Sequence, residues 1–181
     1  MRLILIAAAT LLLGACQSGP VGNPSVPAPA KPVDLKRYAG LWYEYARYEN
    51  RFEKVCEGVT AEYRPLPDGK ITVINTCREG APDGPAKSTE GSAKPTGDAL
   101  GAKLKVAFFG PFYFGDYQVL DRDDDYMWAI VGDASGRYLW VLTRSPTPAM
   151  GEKTLVLRRL KEMGYDTDLL RLTQQPPGAT P

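Results

Sequence analysis

Eight short stretches with strand-like patterning, at 41–48, 57–65, 70–77, 88–94, 102–109, 115–121, 126–132 and 137–144, follow one another with little but Gly-, Pro- and Asp-bearing turns between them. Connections this short join antiparallel neighbours, and a meander of eight strands keeps two unpaired edges unless it closes on itself. The expected fold is therefore all-β, an eight-stranded antiparallel up-and-down β-barrel just wide enough inside to hold one small ligand. The alternation is clearest in two segments. Val59, Ala61 and Tyr63 share one face, with Thr60, Glu62 and Arg64 on the other; Leu104, Val106 and Phe108 lie opposite Lys103, Lys105 and Ala107. A period of two gives an apolar interior and a wetted outer wall. Pro67-Asp68-Gly69 supplies a turn between the second and third strands.

One helix is expected after the last strand. In Ser145-Pro146-Thr147-Pro148, Thr147 suits the N-cap and Pro148 the first helical position. Met150, Leu157 and Leu160 then share a face, with Val156 and Met163 beside it and Gly164 as a stop. A single amphipathic helix of this size packs on the outside of a barrel and is too small for a second domain.

The N-terminus sets the compartment. Residues 3–13 are apolar almost throughout and follow Arg2. Eleven residues at about 1.5 Å each are too short to span a bilayer, so the run reads as the apolar core of a signal peptide. It ends in Leu13-Gly14-Ala15-Cys16, which resembles the bacterial lipobox, in which the Cys is acylated and becomes the first residue. Gln17 stands where an Asp often retains such lipoproteins in the inner membrane, so the expected location is the outer membrane, lipid-anchored and facing the periplasm. More than one acyl chain on Cys16 makes that anchoring stable.

The expected organisation is a signal peptide over 1–15, a lipidated Cys and Pro-rich linker over 16–33, a folded domain over 34–175 and a disordered tail over 176–181. Residues 17–33 hold five prolines and no aromatic residue, which reads as an extended spacer reaching on the order of 50 Å. Without residues 1–15, basic and acidic residues balance at 21 each, and no basic block marks a nucleic-acid partner.

Beyond Cys16 the cysteines are Cys56 and Cys77, at the far ends of the hairpin formed by the second and third strands. In an exported protein this placement points to a disulfide worth about 3 kcal/mol by loop entropy. The alternative is a reactive or metal-binding pair. The chain has no histidine, which removes Ser-His-Asp and Cys-His catalysis and leaves no zinc, haem or other cofactor site to expect. Asp121, Asp123, Asp124 and Asp125 fall at a turn and read as solvated charge.

Four segments carry a resemblance. Tyr38-Ala39-Gly40-Leu41-Trp42-Tyr43-Glu44-Tyr45-Ala46-Arg47-Tyr48 holds a Gly-x-Trp signature, and Val59-Thr60-Ala61-Glu62-Tyr63, Phe108-Phe109-Gly110-Pro111-Phe112-Tyr113 and Tyr138-Leu139-Trp140-Val141-Leu142-Thr143-Arg144-Ser145-Pro146 follow in register. Together with Gly115-Asp116-Tyr117 they make the segment 34–175 similar to the lipocalins, in particular to bacterial outer-membrane lipoprotein members and the apolipoprotein D-like subgroup. Tyr45 departs from the aliphatic residue usual at its position. The resemblance implies a barrel base closed by Gly40 and Trp42, with Arg144 lying across the Trp42 ring. It implies a ligand cavity above that base, lined by Ala61, Tyr63, Val73, Asn75, Val106, Phe108, Trp140 and Leu142. Within that lining Asn75 is the polar exception and needs a partner: a ligand carbonyl, the Tyr63 hydroxyl or water.

The function implied is reversible binding of a fatty acid or lysophospholipid, for lipid storage, transport or repair at the cell envelope, without catalysis. The expected partners are that small apolar ligand and the membrane. Phe109, Phe112, Tyr113 and Phe114 would sit at one barrel end, as a portal, a bilayer contact or plain packing. Two other classes fit less of the sequence. A lipocalin-type enzyme acting on an apolar substrate needs a free cavity thiol, and a structural envelope protein needs an occluded interior.

Overall fold

The computed structural model describes residues 20–180. The signal peptide expected over 1–15, the acylation of Cys16 and the sorting role of Gln17 lie outside the described residues. A one-turn helix α1 (Leu35–Tyr38) leads into the strands β1 (Gly40–Tyr48), β2 (Cys56–Pro65), β3 (Ile71–Glu79), β4 (Ala86–Pro95), β5 (Lys103–Ala107), β6 (Gly115–Arg122), β7 (Trp128–Gly132) and β8 (Leu139–Thr143). Helix α2 (Met150–Glu162) and a short strand β9 (Leu170–Leu172) complete the chain.

Each of β2 to β7 pairs antiparallel with its successor, and β8 returns to β1 (Tyr43 opposite Thr143, Arg47 opposite Trp140). The first residues of β1, Gly40–Tyr43, pair with Tyr63–Thr60 of β2, and this contact closes the eight-stranded barrel. One end is the base, formed by α1 and the turns 66–70, 96–102 and 123–127. The other is the mouth, formed by loops 49–55, 80–85, 108–114 and 133–138.

Closure is incomplete at the mouth. Beyond Tyr43, β1 leaves β2, and the C-terminal segment fills the gap. Ala46, Arg47 and Tyr48 pair with Leu172, Arg171 and Leu170 of β9. On the other side the Gly58 amide donates to the Gln174 carbonyl (2.7 Å), and Gln175 Nε2 donates to the carbonyls of both Glu44 (2.9 Å) and Val59 (3.0 Å). This ninth strand is absent from the sequence reading, because Leu-Arg-Leu is too short to carry a period. The last residues also follow the wall: Tyr43 donates its hydroxyl to the Thr180 carbonyl (2.6 Å), so the segment 176–180 is held where a disordered tail was expected.

Two apolar clusters hold the structure. Inside the barrel lie Trp42, Ala61, Tyr63, Val73, Ala93, Leu104, Val119, Val131 and Leu142, with Val106, Phe108 and Trp140 packed against them. Outside, Ala46, Leu120, Ile130, Leu139 and Val141 receive Val156 and Leu160 of α2. The helix differs in detail from its expected form. It starts at Met150 after Ala149, with no side-chain cap, whereas Thr147 donates its amide to Ser145 Oγ in a turn (3.2 Å) and Pro148 stays buried ahead of the helix. Met150 is mostly exposed and Leu157 only half-buried, since the first turn overhangs the wall and Val156 and Leu160 carry the contact. Asp121 is also corrected: a bulge after Val119 turns it outward under α2, where it is buried and paired with Arg159 (2.7 Å).

The proline-rich segment is not a free spacer. Residues 20–33 run down the wall from mouth to base. The amides of Gly22 and Asn23 donate to the Gly136 carbonyl (3.0 and 3.2 Å), Ala30 donates to Leu120 (2.8 Å) and Val33 to Leu100 (2.8 Å). Asn23 is 2 % exposed, and its Nδ2 donates to the Met163 carbonyl (2.9 Å). Composition hides this because proline carries no amide donor, so a handful of amides at the residues between suffices to pin the segment.

Cys56 and Cys77 form a disulfide, with Cα atoms 5.2 Å apart. They are not opposite each other in the ladder: Cys56 faces Glu79, and a bulge between Glu57 and Thr60 brings Cys77 within reach. Replacing both with Ser is expected to lower unfolding free energy by about 3 kcal/mol. Urea titration measures this, and thiol counting without reductant should find neither Cys56 nor Cys77 reactive.

Candidate ligand-binding cup

The base is built around Trp42, which is fully buried and donates Nε1–H to the Tyr38 carbonyl (2.8 Å). The Arg144 guanidinium lies 3.8 Å above the Trp42 ring centre. It also donates to the carbonyls of Leu41 (2.7 Å), Arg37 (3.0 Å), Tyr38 (3.1 Å) and Ala39 (2.9 Å), so one side chain satisfies the end of α1 and covers the ring. Gly40, at φ +93°, makes the sharp entry into β1, a backbone conformation that favours glycine.

Above the base three tyrosines meet. The hydroxyl of Tyr117 lies 2.6 Å from that of Tyr38 and 2.7 Å from that of Tyr63. Burial pushes all three phenols up, Tyr63 to about 12. They stay neutral at any physiological pH and form a closed polar knot. Asn75 therefore does not use the Tyr63 hydroxyl, one of the partners the sequence allows.

The residues expected to line a cavity occupy two levels. Ala61, Tyr63, Val73 and Leu142 are buried in the interior cluster. Asn75, Val106, Phe108 and Trp140 stand half-exposed nearer the mouth. Among the described residues Asn75 has no side-chain hydrogen bond, and it is not fully buried. The Phe108 ring lies against β4 at Gly91, where a Cβ would come within 2.6 Å of Phe108 Cδ1 and 2.7 Å of the Ala107 carbonyl. Gly91 thus lets the ring lie flat on the wall.

At the mouth lies a polar cluster that sequence reasoning missed. Glu44 shares the inward face of Trp42, and a bulge between Glu44 and Ala46 turns Arg47 inward beside it. Both are fully buried, with Arg47 Nη1 donating to Glu44 Oε1 (2.6 Å) and Thr173 Oγ1 (3.0 Å). Arg47 Nη2 donates to the carbonyls of Glu53 (2.8 Å) and Cys56 (3.1 Å), which fixes loop 49–55 over the opening. Trp140 Nε1 donates to Glu53 Oε2 (3.0 Å), and the rings of Trp140, Tyr138 and Phe52 stack in series. Burial, then the charge of Glu53, raises the Glu44 carboxyl above its usual range, against the pull of Arg47 and Thr173. Strict alternation assigns 44 and 47 to opposite faces. The available signal was two opposite charges in a strand otherwise apolar or aromatic. Tyr45 lies on the outer wall, beneath Lys153 of α2, where an aromatic residue is accommodated.

Sequence comparison is consistent with this geometry. A Lipocalin-like domain model matches residues 33–175. Over 97 % of its length the chain is 42 % identical to the outer membrane lipoprotein Blc of Escherichia coli K12, covering 99 % of that protein, and 38 % identical to that of Vibrio cholerae, covering 99 %. Rat apolipoprotein D is 29 % identical over 89 % of this chain and 82 % of its own. Among solved structures, insecticyanin from the tobacco hornworm superposes with a TM-score of 0.70 at 23 % identity, covering 90 % of each chain. A Trp-floored eight-stranded barrel capped by Arg144, an outer helix and a family match across the whole domain lead to one assignment: the chain belongs to the lipocalin family.

Proposed function

We propose that this lipocalin is a lipid-anchored outer-membrane protein, attached through Cys16, that reversibly holds a fatty acid or lysophospholipid with its alkyl chain in the barrel. The carrying observation is the two-level interior. A closed floor of Trp42 and the tyrosine knot lies beneath half-exposed Val106, Phe108 and Trp140, with the unpaired Asn75 amide among them. An alkyl chain gains about 0.8 kcal/mol for each CH₂ it buries against such a wall, and Asn75 offers its polar end a donor and an acceptor. The names of the bacterial relatives support the location. Binding rather than catalysis is favoured because Cys56 and Cys77 are joined, which removes the thiol that the enzyme reading requires.

Titration of delipidated, refolded protein with a fluorescent fatty acid is expected to saturate at one site. Gly91→Val, which drives Phe108 into the lumen, is expected to weaken binding at least tenfold, and Asn75→Leu to weaken lysophospholipid and fatty acid unequally. Absence of saturable binding by the unmodified protein counts against the reading.

A further inference from the structure

The chain has five phenylalanines, and four of them are exposed. Phe52 is 62 % exposed, Phe109 86 %, Phe112 62 % and Phe114 82 %, and all four lie in the mouth loops 49–55 and 108–114. Val55, at 58 %, and Val21, at 40 %, join them. Phe112 and Phe114 stack on each other, 5.5 Å between centres. Their neighbour Tyr113 is turned the other way, donating its hydroxyl to Ser92 Oγ (3.0 Å). The loop thus holds its amphipathic ring against the protein and presents its purely apolar rings outward, the reverse of what solubility in water selects. The base carries scattered aliphatics, Leu41, Leu66, Met127 and Met150, and no exposed phenylalanine.

The path of the N-terminal segment points the same way. Its first pinned residue, Gly22, sits at the mouth: the Gly22 amide donates to Gly136 in loop 133–138, and the Gly22 carbonyl accepts from Asp166. The Gly22 backbone also lies against the Tyr48 ring at the end of β1. Cys16 is six residues upstream, a reach of about 20 Å at full extension. The barrel, with strands of up to ten residues, measures roughly 25 Å along its axis once strand tilt is allowed for. A Cys16 anchor therefore reaches the bilayer readily from the mouth and falls short of carrying the base there.

We infer that the barrel docks mouth-down on the bilayer, with the phenylalanine rim of loops 49–55 and 108–114 entering the lipid beside the acylated Cys16. The inference rests on the anchoring proposed above. Its consequence is direct transfer: an acyl chain passes between membrane and cup without crossing water.

The test adds one tryptophan at a time to the full chain, produced in a bacterium that processes lipoproteins. Phe109→Trp and Phe114→Trp report the rim, Leu66→Trp the base and Thr154→Trp the exposed face of α2. The proteins are reconstituted into phosphatidylethanolamine–phosphatidylglycerol vesicles containing brominated phosphatidylcholine, and quenching is read against the unmodified protein. Added fluorescence at 109 and 114 is expected to be quenched at least threefold more than at 66 or 154. Equal quenching at all four sites, or stronger quenching at 66 or 154, overturns the orientation. Mass spectrometry of the N-terminal peptide separates the two readings. An unacylated Cys16 overturns the anchor and the orientation together, whereas an acylated Cys16 with an unquenched rim overturns the orientation alone.

Discussion

Arg47→Met is expected to lower the unfolding free energy by about 3–5 kcal/mol, the penalty for leaving a charge buried without its partner. Arg47 is fully enclosed and makes four hydrogen bonds, to Glu44, Thr173 and the carbonyls of Glu53 and Cys56. Its removal leaves Glu44 with the Thr173 hydroxyl and, at close range, the like charge of Glu53. The double variant Glu44→Gln/Arg47→Met is expected to recover much of the loss, since an uncharged pair has no ion to strand. The pH dependence has a definite sign. The folded-state carboxyl of Glu44 titrates above its unfolded value, so its contribution is complete below the ordinary glutamate range and falls as pH rises through the elevated value. Arg47→Met removes a lowering influence and stretches this decline to higher pH. The difference between Arg47→Met and the double variant, in urea titrations from pH 4 to 9, isolates it from other carboxylates. A single-variant loss below about 1 kcal/mol, or a difference that shrinks with rising pH, contradicts the account.

Deleting residues 170–181 is expected to be at least as damaging. It removes the β9 pairing, the Thr173–Tyr45 and Gly58–Gln174 backbone bonds, the Gln175 bridge between β1 and β2, and the partners of Glu57, namely Arg171 and the Gln174 amide. At about 1 kcal/mol per hydrogen bond the loss is about 5 kcal/mol or more, close to the whole stability of a small domain. Melting should fall by about 10–20 °C, and hydrogen exchange should accelerate at 44–48 and 56–59 before the rest of the barrel. Deleting 176–181 alone removes the Tyr43–Thr180 bond and little else from the seam, and is expected to leave both measures nearly unchanged. Equal effects of the two deletions would refute the seam.

The barrel was legible in the sequence because its strands alternate with a strict period, and five of them keep it. It was hidden where the period breaks. The bulge in β1 conceals the inward pair Glu44 and Arg47, and the bulge in β6 conceals the buried Asp121. The tyrosine knot was half visible: Tyr63 was placed by parity, but Tyr38 precedes the first strand and Tyr117 shows its role only through oxygens brought together from 54 and 79 residues away. Composition misled at both ends. Proline-bearing segments read as loose, yet residues 20–33 and 176–180 lie along the wall, because docking needs only a few well-placed backbone groups and no apolar period of its own.

The seam at the mouth also orders events in time. The strand that begins the barrel at Gly40 completes its wall only against residues 170–175, so the first and last parts of the domain must meet before the cup is watertight. A nascent or partly threaded chain lacks the Thr173 hydroxyl that joins Glu44 and Arg47 and both partners of Glu57, however many central strands have already paired. Docking that seam is a loop closure of well over a hundred residues, the kind of distant contact that lowers a folding rate. Until it happens the barrel, already closed between β1 and β2 at the base, keeps an open seam at the mouth between residues 44–48 and 56–59, which makes the final dozen residues a checkpoint for the whole.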